Sequence, residues 1–283
     1  EDVVYLYKLN STTFHIAHGT KIGDFKYLQE LINNATAAAP PGTIPSIILP
    51  RNIVFTIGTE IWCDDSCVNI TKPIIINGLG RTIDALGQSR IFNITSANVT
   101  LNDIKFVNGN SSGRYGDGVD MGGAIFWSGQ NGTLMNGEFR DNNATIGGAI
   151  YYNSTASNAK ISGSYFFNNT AVTNGGAIDC NASEMNLTNT FFESNYAGEY
   201  GAALCRETNA TGGFGRNNNF TSNNAGIAGA ALGWMGVNNI TITNYIFIDN
   251  TAGENGGAIY VSQNSDNCKI INSSFTGNNV TGT

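Results

Sequence analysis

Few residues in this chain of 283 have reactive side chains, and their spacing decides what chemistry they could do. Acid–base cleavage of a glycoside needs two carboxylates at a set separation. Lyase-type chemistry needs a Ca²⁺-binding Asp cluster with a Lys or Arg base. Neither pattern stands out: Asp141, Glu193 and Asp249 fall in three different copies of the repeat described below, and Asp64 and Asp65 lie outside it. His15 and His18 both sit near the N-terminus, where they read as surface or capping residues. No catalytic residue, metal site or cofactor is expected. The most site-like segment is a loop holding Arg114, Tyr115, Asp117 and Asp120 among several glycines. Long loops leaving a regular scaffold are common binding places, although a plain solvent loop fits the same residues. Two aspartates are too few to hold Ca²⁺.

Five cysteines are an odd number, so at least one has no partner within the chain. Cys63 and Cys67 enclose Asp64, Asp65 and Ser66, with no His or further Cys nearby in sequence, which favours a local disulfide over a metal site. Cys180, Cys205 and Cys268 lie inside the repeats and read as small hydrophobes. Seventeen Asn-x-Ser/Thr triplets, among them Asn69, Asn93, Asn98, Asn143, Asn186 and Asn239, suggest N-linked glycans on an extracellular surface. Turns rich in Asn, Ser and Thr would also generate the triplet.

Composition narrows the classes further. With 14 Lys+Arg against 21 Asp+Glu and a net charge of −7, a basic surface for nucleic acid is excluded. A 41% hydrophobic content with so little charge argues against disorder, and the longest apolar runs are too short to span a bilayer. The chain holds 35 Gly and 40 Asn, residues that turn a backbone cheaply because both tolerate positive φ. It starts at Glu1 with no targeting segment, as the mature part of an exported protein would, or an engineered truncation.

The elements that must position these residues come from an internal repeat. Gly-Gly-Ala-Ile begins at Gly122, Gly147, Gly175 and Gly256, and returns as Gly-Ala-Ala-Leu at Gly201 and Gly229. Phe-x-x-Asn alternates with it at Phe139, Phe166, Phe192, Phe220, Phe247 and Phe275, with Phe106 a degenerate earlier copy. The gap from Phe106 to Phe139 is 33 residues, against 26 to 28 elsewhere, which places the extra loop. An alternating apolar stretch precedes each Phe, as in Met185-x-Leu187 and Ile240-x-Ile242. Three short strands in about 27 residues is the size of one coil of a right-handed parallel β-helix. A propeller blade needs about 40–50 residues, and 12 leucines are too few for a leucine-rich repeat.

The prediction is an all-β, right-handed parallel β-helix (solenoid) of about eight coils over 71–283, with a capping region at 1–70. Stacking at about 4.8 Å per coil makes the Phe positions an inward aromatic ladder and Ile125, Ile150, Ile178, Leu204, Leu232 and Ile259 an aliphatic one. Parity points Cys268 inward, sets Cys180 and Cys205 on opposite sides, and turns Phe126, Tyr151 and Tyr260 outward, where they could stack on sugars. Asp179, Cys205 and Gly233 interrupt that row. The cap is expected to contain a strand at 3–9, a helix N-capped by Asp24 and running to about Asn34, and strands at 47–49 and 53–57. The last coil lacks its third strand, leaving an end free to receive another subunit or a continuation of the chain.

Residues 74–109, with Ile74-Ile75-Ile76-Asn77-Gly78-Leu79-Gly80, Thr82-Ile83-Asp84 and Ile91-Phe92-Asn93-Ile94-Thr95, followed by the Gly-Gly-Ala-Ile copies, resemble the adhesin-like surface proteins of methanogenic archaea. The paired motifs are also similar to the repeats of chlamydial polymorphic outer-membrane proteins. The resemblance covers about 72–283 and implies a surface-exposed right-handed β-helix; its motifs are structural and carry no catalytic residue. The expected function is that of a non-enzymatic extracellular structural or adhesive protein, stacking head to tail into a filament or sheath or contacting a cell-surface glycan. The alternative is a carbohydrate-binding or polysaccharide-cleaving β-helix.

Overall fold

The computed structural model describes the backbone of 3–8 and 14–19 and residues 23–56, 67–111, 120–208 and 210–282. Strand pairing settles the architecture. Phe106 pairs with Phe139, and Phe139 with Phe166, followed by Phe192, Phe220, Phe247 and Phe275, every pair parallel and in register. From Phe139 on, each belongs to a three-residue strand, such as Phe191–Glu193, whose central side chain points inward and whose neighbours point out. The rings stack face to face at 4.5 to 5.1 Å. The aliphatic column is equally regular, running Phe92, Ile125, Ile150, Ile178, Leu204, Leu232, Ile259.

The chain is therefore a parallel β-solenoid of about eight coils with three three-residue strands in each regular coil. They build an alternating wall (Asn186–Thr188 and its equivalents), a phenylalanine wall (Phe191–Glu193) and a glycine wall (Leu204–Arg206). In the early coils the first two walls are crossed by one long strand, Ile75–Asp84 or Thr100–Val107. A short fourth stack, absent from the sequence reading, joins the two-residue pieces Asn143–Ala144, Thr170–Ala171, Tyr196–Ala197, Asn224–Ala225, Thr251–Ala252 and Asn279–Val280. Ala197, Ala225 and Ala252 of this stack pack with Ala202 and Ala230 in a small cluster separate from the main core.

Asparagine makes the corners. Asn136, Asn189, Asn217, Asn244 and Asn272 occupy one column of left-handed turns, all with φ between 47° and 57°. The asparagine ending each Phe motif does a second task. Asn142, Asn169, Asn195, Asn223, Asn250 and Asn278 form a column whose Nδ2 atoms donate to the next Oδ1 at 2.8–2.9 Å. Each Nδ2 also donates to a phenylalanine carbonyl of the preceding coil, and each Oδ1 accepts a backbone N–H; for Asn195 these are the Phe166 carbonyl and the Asn169 amide. Every polar group of a buried amide is thereby answered, which is the condition for burying it.

The helix Asp24–Ala38 closes the first rung. It buries Phe25, Tyr27, Leu28 and Ile32, with Leu31 partly covered, and Phe25 meets Phe55 edge-on at 5.3 Å. Gly23, not Asp24, holds the N-cap position. The Asp24 carboxylate instead accepts from Arg51 at 2.8 Å and from the Val54 amide at 3.0 Å, fastening the helix to the strand Ile53–Val54. The helix also runs a turn beyond the expected Asn34, because 35–38 are Ala, Thr, Ala and Ala, which prolong it at little cost. Gln29 answers the exposed edge of strand Val68–Ile70: its Oε1 accepts from Asn69 N and its Nε2 donates to Asn69 O. Ahead of the helix, Val3–Lys8 and Phe14–Gly19 pair antiparallel. Ser46–Ile48 and Ile53–Val54 pair in parallel with Ile75–Asp84, so the stack reaches back to 46.

Candidate functional site

Arg114, Tyr115, Asp117 and Cys63 lie outside the described residues, so neither the loop nor the Cys63–Cys67 pairing is described. Cys67 is buried beside the strand Val68–Ile70. Asp120 stands at the base of the inserted segment, its carbonyl accepting from the amides of Thr145 and Ile146 at 2.8 and 3.2 Å. The candidate glycosylation residues divide by position. Asn98 and Asn239 are exposed at left-handed corners. Asn69, Asn93, Asn143 and Asn186 are half-buried, and Asn93 spends its Nδ2 on Asn69 Oδ1 at 2.9 Å. Asp141 is a corner residue, accepting from Asn168 Nδ2.

The outward aromatic row is corrected by the structure. Tyr151 lies only 7% exposed, and Asp179 and Cys205 are fully buried. The glycine turns ahead of Ile150–Tyr152, Ile178–Cys180, Leu204–Arg206 and Leu232–Trp234 fold back over these strands, so all three residues of each are buried. Gly175 shows why: at φ +65° its missing Cβ would stand 2.7 Å from Asp179 Cβ. Phe126 is half-covered against Tyr151 and Arg90, and Tyr260 against Tyr200. Cys180 joins the main core while Cys205 does not, and Cys268 packs partly buried against the core, as parity predicts.

An exposed chemical cluster occurs on the outer side of the phenylalanine wall, at positions that parity places outward. Tyr165 and Phe167 flank the buried Phe166, and Phe191 and Glu193 flank Phe192 one coil on. Phe191 is half exposed. Tyr165 and Phe167 stack at 6.1 Å, and the Arg140 guanidinium lies 4.7 Å over the Phe167 ring. Arg140 also reaches Glu138 at 2.9 Å, and Lys105 reaches the same carboxylate at 3.1 Å. Burial of Glu138 opposes ionisation, but the hydrogen bonds from Arg140 and Lys105 outweigh it and hold the carboxyl below its ordinary range. The Tyr165 hydroxyl donates to Glu193 Oε2; burial first, then that bond, push Tyr165 up to about 12. Aromatic faces, a fixed guanidinium and two carboxylates thus share one patch across three coils. Such a patch can stack on a sugar ring and hydrogen-bond its hydroxyls. The triplets Tyr-Phe-Phe and Phe-Phe-Glu around the ladder phenylalanines were the sequence signal for it.

No family model and no curated protein matches the sequence. Among solved structures, the chain is similar to "Tailspike protein mutant E372Q (delta D470/N471) of E. coli bacteriophage HK620", with 12% identity and a TM-score of 0.45. The match covers 97% of this chain and 59% of that one. At this level it adds nothing to the fold, which rests on the strand register. No helix among the described residues is long and apolar enough to cross a membrane.

Proposed function

We propose that this chain is a non-enzymatic element of an extracellular surface protein, a repetitive rod that adheres to glycans and stacks end to end. The supporting observation is the outward cluster of Tyr165, Phe167 and Phe191 with Arg140 and Glu193, set on a wall whose next coil presents Asn219 and Thr221 at the same positions. In the last described rung, 269–280, Ile270 and Phe275 are 45% and 50% exposed while the equivalent Ile242 and Phe247 are buried, so a further coil or a second copy that continues the stack would cover them. A glycan array probed with the purified chain tests adhesion. Binding to a defined glycan class that falls at least tenfold in Phe191→Ala, with unchanged circular dichroism, is expected. Loss of the proposal follows if Phe191→Ala binds like the wild type. New reducing ends that vanish in Glu193→Gln favour the polysaccharide-cleaving alternative, because Glu193 and Glu138 share this face with the aromatic residues.

A further inference from the structure

The turns that cover the glycine wall enclose a group of oxygen and sulfur atoms, several of which accept no hydrogen bond. Asp179 on strand Ile178–Cys180 faces Cys205 on strand Leu204–Arg206 in register. Two residues further along each, on the same side by alternation, stand Asn181 and Glu207. Glu207 Oε1 lies 3.7 Å from Cys205 Sγ, and one ligand atom from each of Asp179, Cys205 and Glu207 falls within 4.8 Å of the others. Asn174 joins from the turn, its Nδ2 donating to Glu207 Oε1 at 3.2 Å.

Acidic groups in proximity are common; unanswered ones in the interior are not. Asp179 has no exposed surface, and neither of its carboxyl oxygens makes a hydrogen bond of good geometry, its polar neighbours being Glu207 and Cys205. The buried Oδ1 atoms of Asn181 and Asn174 are equally unanswered. Arg206, adjacent to Cys205 in sequence, is on the core side of the strand and donates to the carbonyls of Ala210 and Gly212. Burial, with the nearby Glu207 charge, pushes the Asp179 carboxyl well above its usual range. A proton on Asp179 answers one of these oxygens and leaves the rest.

We propose that Asp179, Cys205 and Glu207 bind one divalent transition-metal ion of the zinc class, with the Asn181 amide oxygen completing the set. Sulfur beside carboxylates excludes Ca²⁺, which takes about 6–8 oxygens, and suits Zn²⁺, which accepts both. A tetrahedron with bonds of about 2.0–2.3 Å has edges of roughly 3.3–3.7 Å. The Cys205–Glu207 pair already has that separation, and the Asp179 atom needs to move by no more than about 1.5 Å. Zn²⁺ takes the sulfur as thiolate, so the thiol proton and any proton on Asp179 leave to solvent. Asn174, holding Glu207 through its Nδ2, is the positioning residue behind the ligands. Glu207 is half exposed and gives the ion its way in.

The test uses the full chain, stripped with EDTA and titrated with Zn²⁺ against a chromophoric chelator. Co²⁺ serves as a spectroscopic replacement. One Zn²⁺ per chain, and a thiolate-to-Co²⁺ charge-transfer band, are expected. Asp179→Asn and Cys205→Ala should each weaken Zn²⁺ binding more than about 100-fold, Cys205→Ala should remove the band, and Cys180→Ala should leave both intact. Folded wild-type protein that binds no zinc, or zinc binding that survives both Asp179→Asn and Cys205→Ala, overturns the proposal. A Co²⁺ complex without the thiolate band overturns it as well, whatever happens to the variants.

Discussion

At the scale of single residues, asparagine is the informative one, because it does two different tasks at different depths. Asn195 has no exposed surface and makes four hydrogen bonds: to Phe166 O and Asn223 Oδ1 as donor, from Asn169 N and Asn169 Nδ2 as acceptor. Asn195→Ala removes all four bonds and leaves Phe166 O, Asn169 N and Asn169 Nδ2 each short of a partner, while Asn223 Oδ1 keeps its bond from the Asn195 amide, so it should cost about 2–4 kcal/mol in urea unfolding. Asn217 is exposed at a left-handed corner, where its ladder bond competes with water. Asn217→Gly keeps the corner and should cost less than about 1 kcal/mol. Tyr165 sets a third expectation. Its pKa lies above the ordinary 10.0, at about 12, so it favours the fold while protonated in both states. That contribution is present below pH 10 and is lost as pH rises towards 12. The unfolding midpoint of Tyr165→Phe should therefore fall less steeply across this range than that of the wild type. Equal slopes would show that the Glu193 hydrogen bond does not hold the proton.

At the scale of elements, the strands were legible in the sequence because each carries one inward residue and repeats at one period. The Phe-x-x-Asn spacing located the phenylalanine wall and its inward column. Tyr196–Ala197 and its equivalents escaped because two residues hold no alternation to detect. The coverage of Tyr151 and Asp179 escaped for a different reason. Parity tells on which side of a strand a residue stands, but not what folds over that side, and here the Gly175 turn does so. The cluster of Asp179 and Cys205 was hidden likewise: its two halves are 26 residues apart and meet only through the register of adjacent coils. The ladder itself makes a clear expectation. Phe192 lies between Phe166 and Phe220, 4.9 Å from each ring. Phe192→Ala opens a cavity bounded by stacked rungs that cannot collapse independently, and should cost about 3–5 kcal/mol. Phe192→Leu should lose less, since it retains most of the buried volume.

At the scale of the whole molecule, the two ends of the stack differ. Asp24, Gln29 and the helix apolar face answer the first rung, and among the described residues no strand pairs beyond it. At the other end, Lys269–Ile271, Ser274–Thr276 and Asn279–Val280 present exposed side chains and one unpaired edge each. Two such rungs could pair with each other and stop at a dimer; one rung set against the helix and hairpin of a neighbour repeats without closing. Covering roughly 500 Å² of apolar surface contributes about 12 kcal/mol gross, against an association cost of about 4–15 kcal/mol. Contact is thus weak enough to depend on concentration. Sedimentation velocity on the chain should show species growing past the dimer as concentration rises, and Ile270→Lys with Phe275→Glu should return it to monomer. A plateau at dimer would mean that open rungs meet each other, and a filament or sheath would then need a different contact.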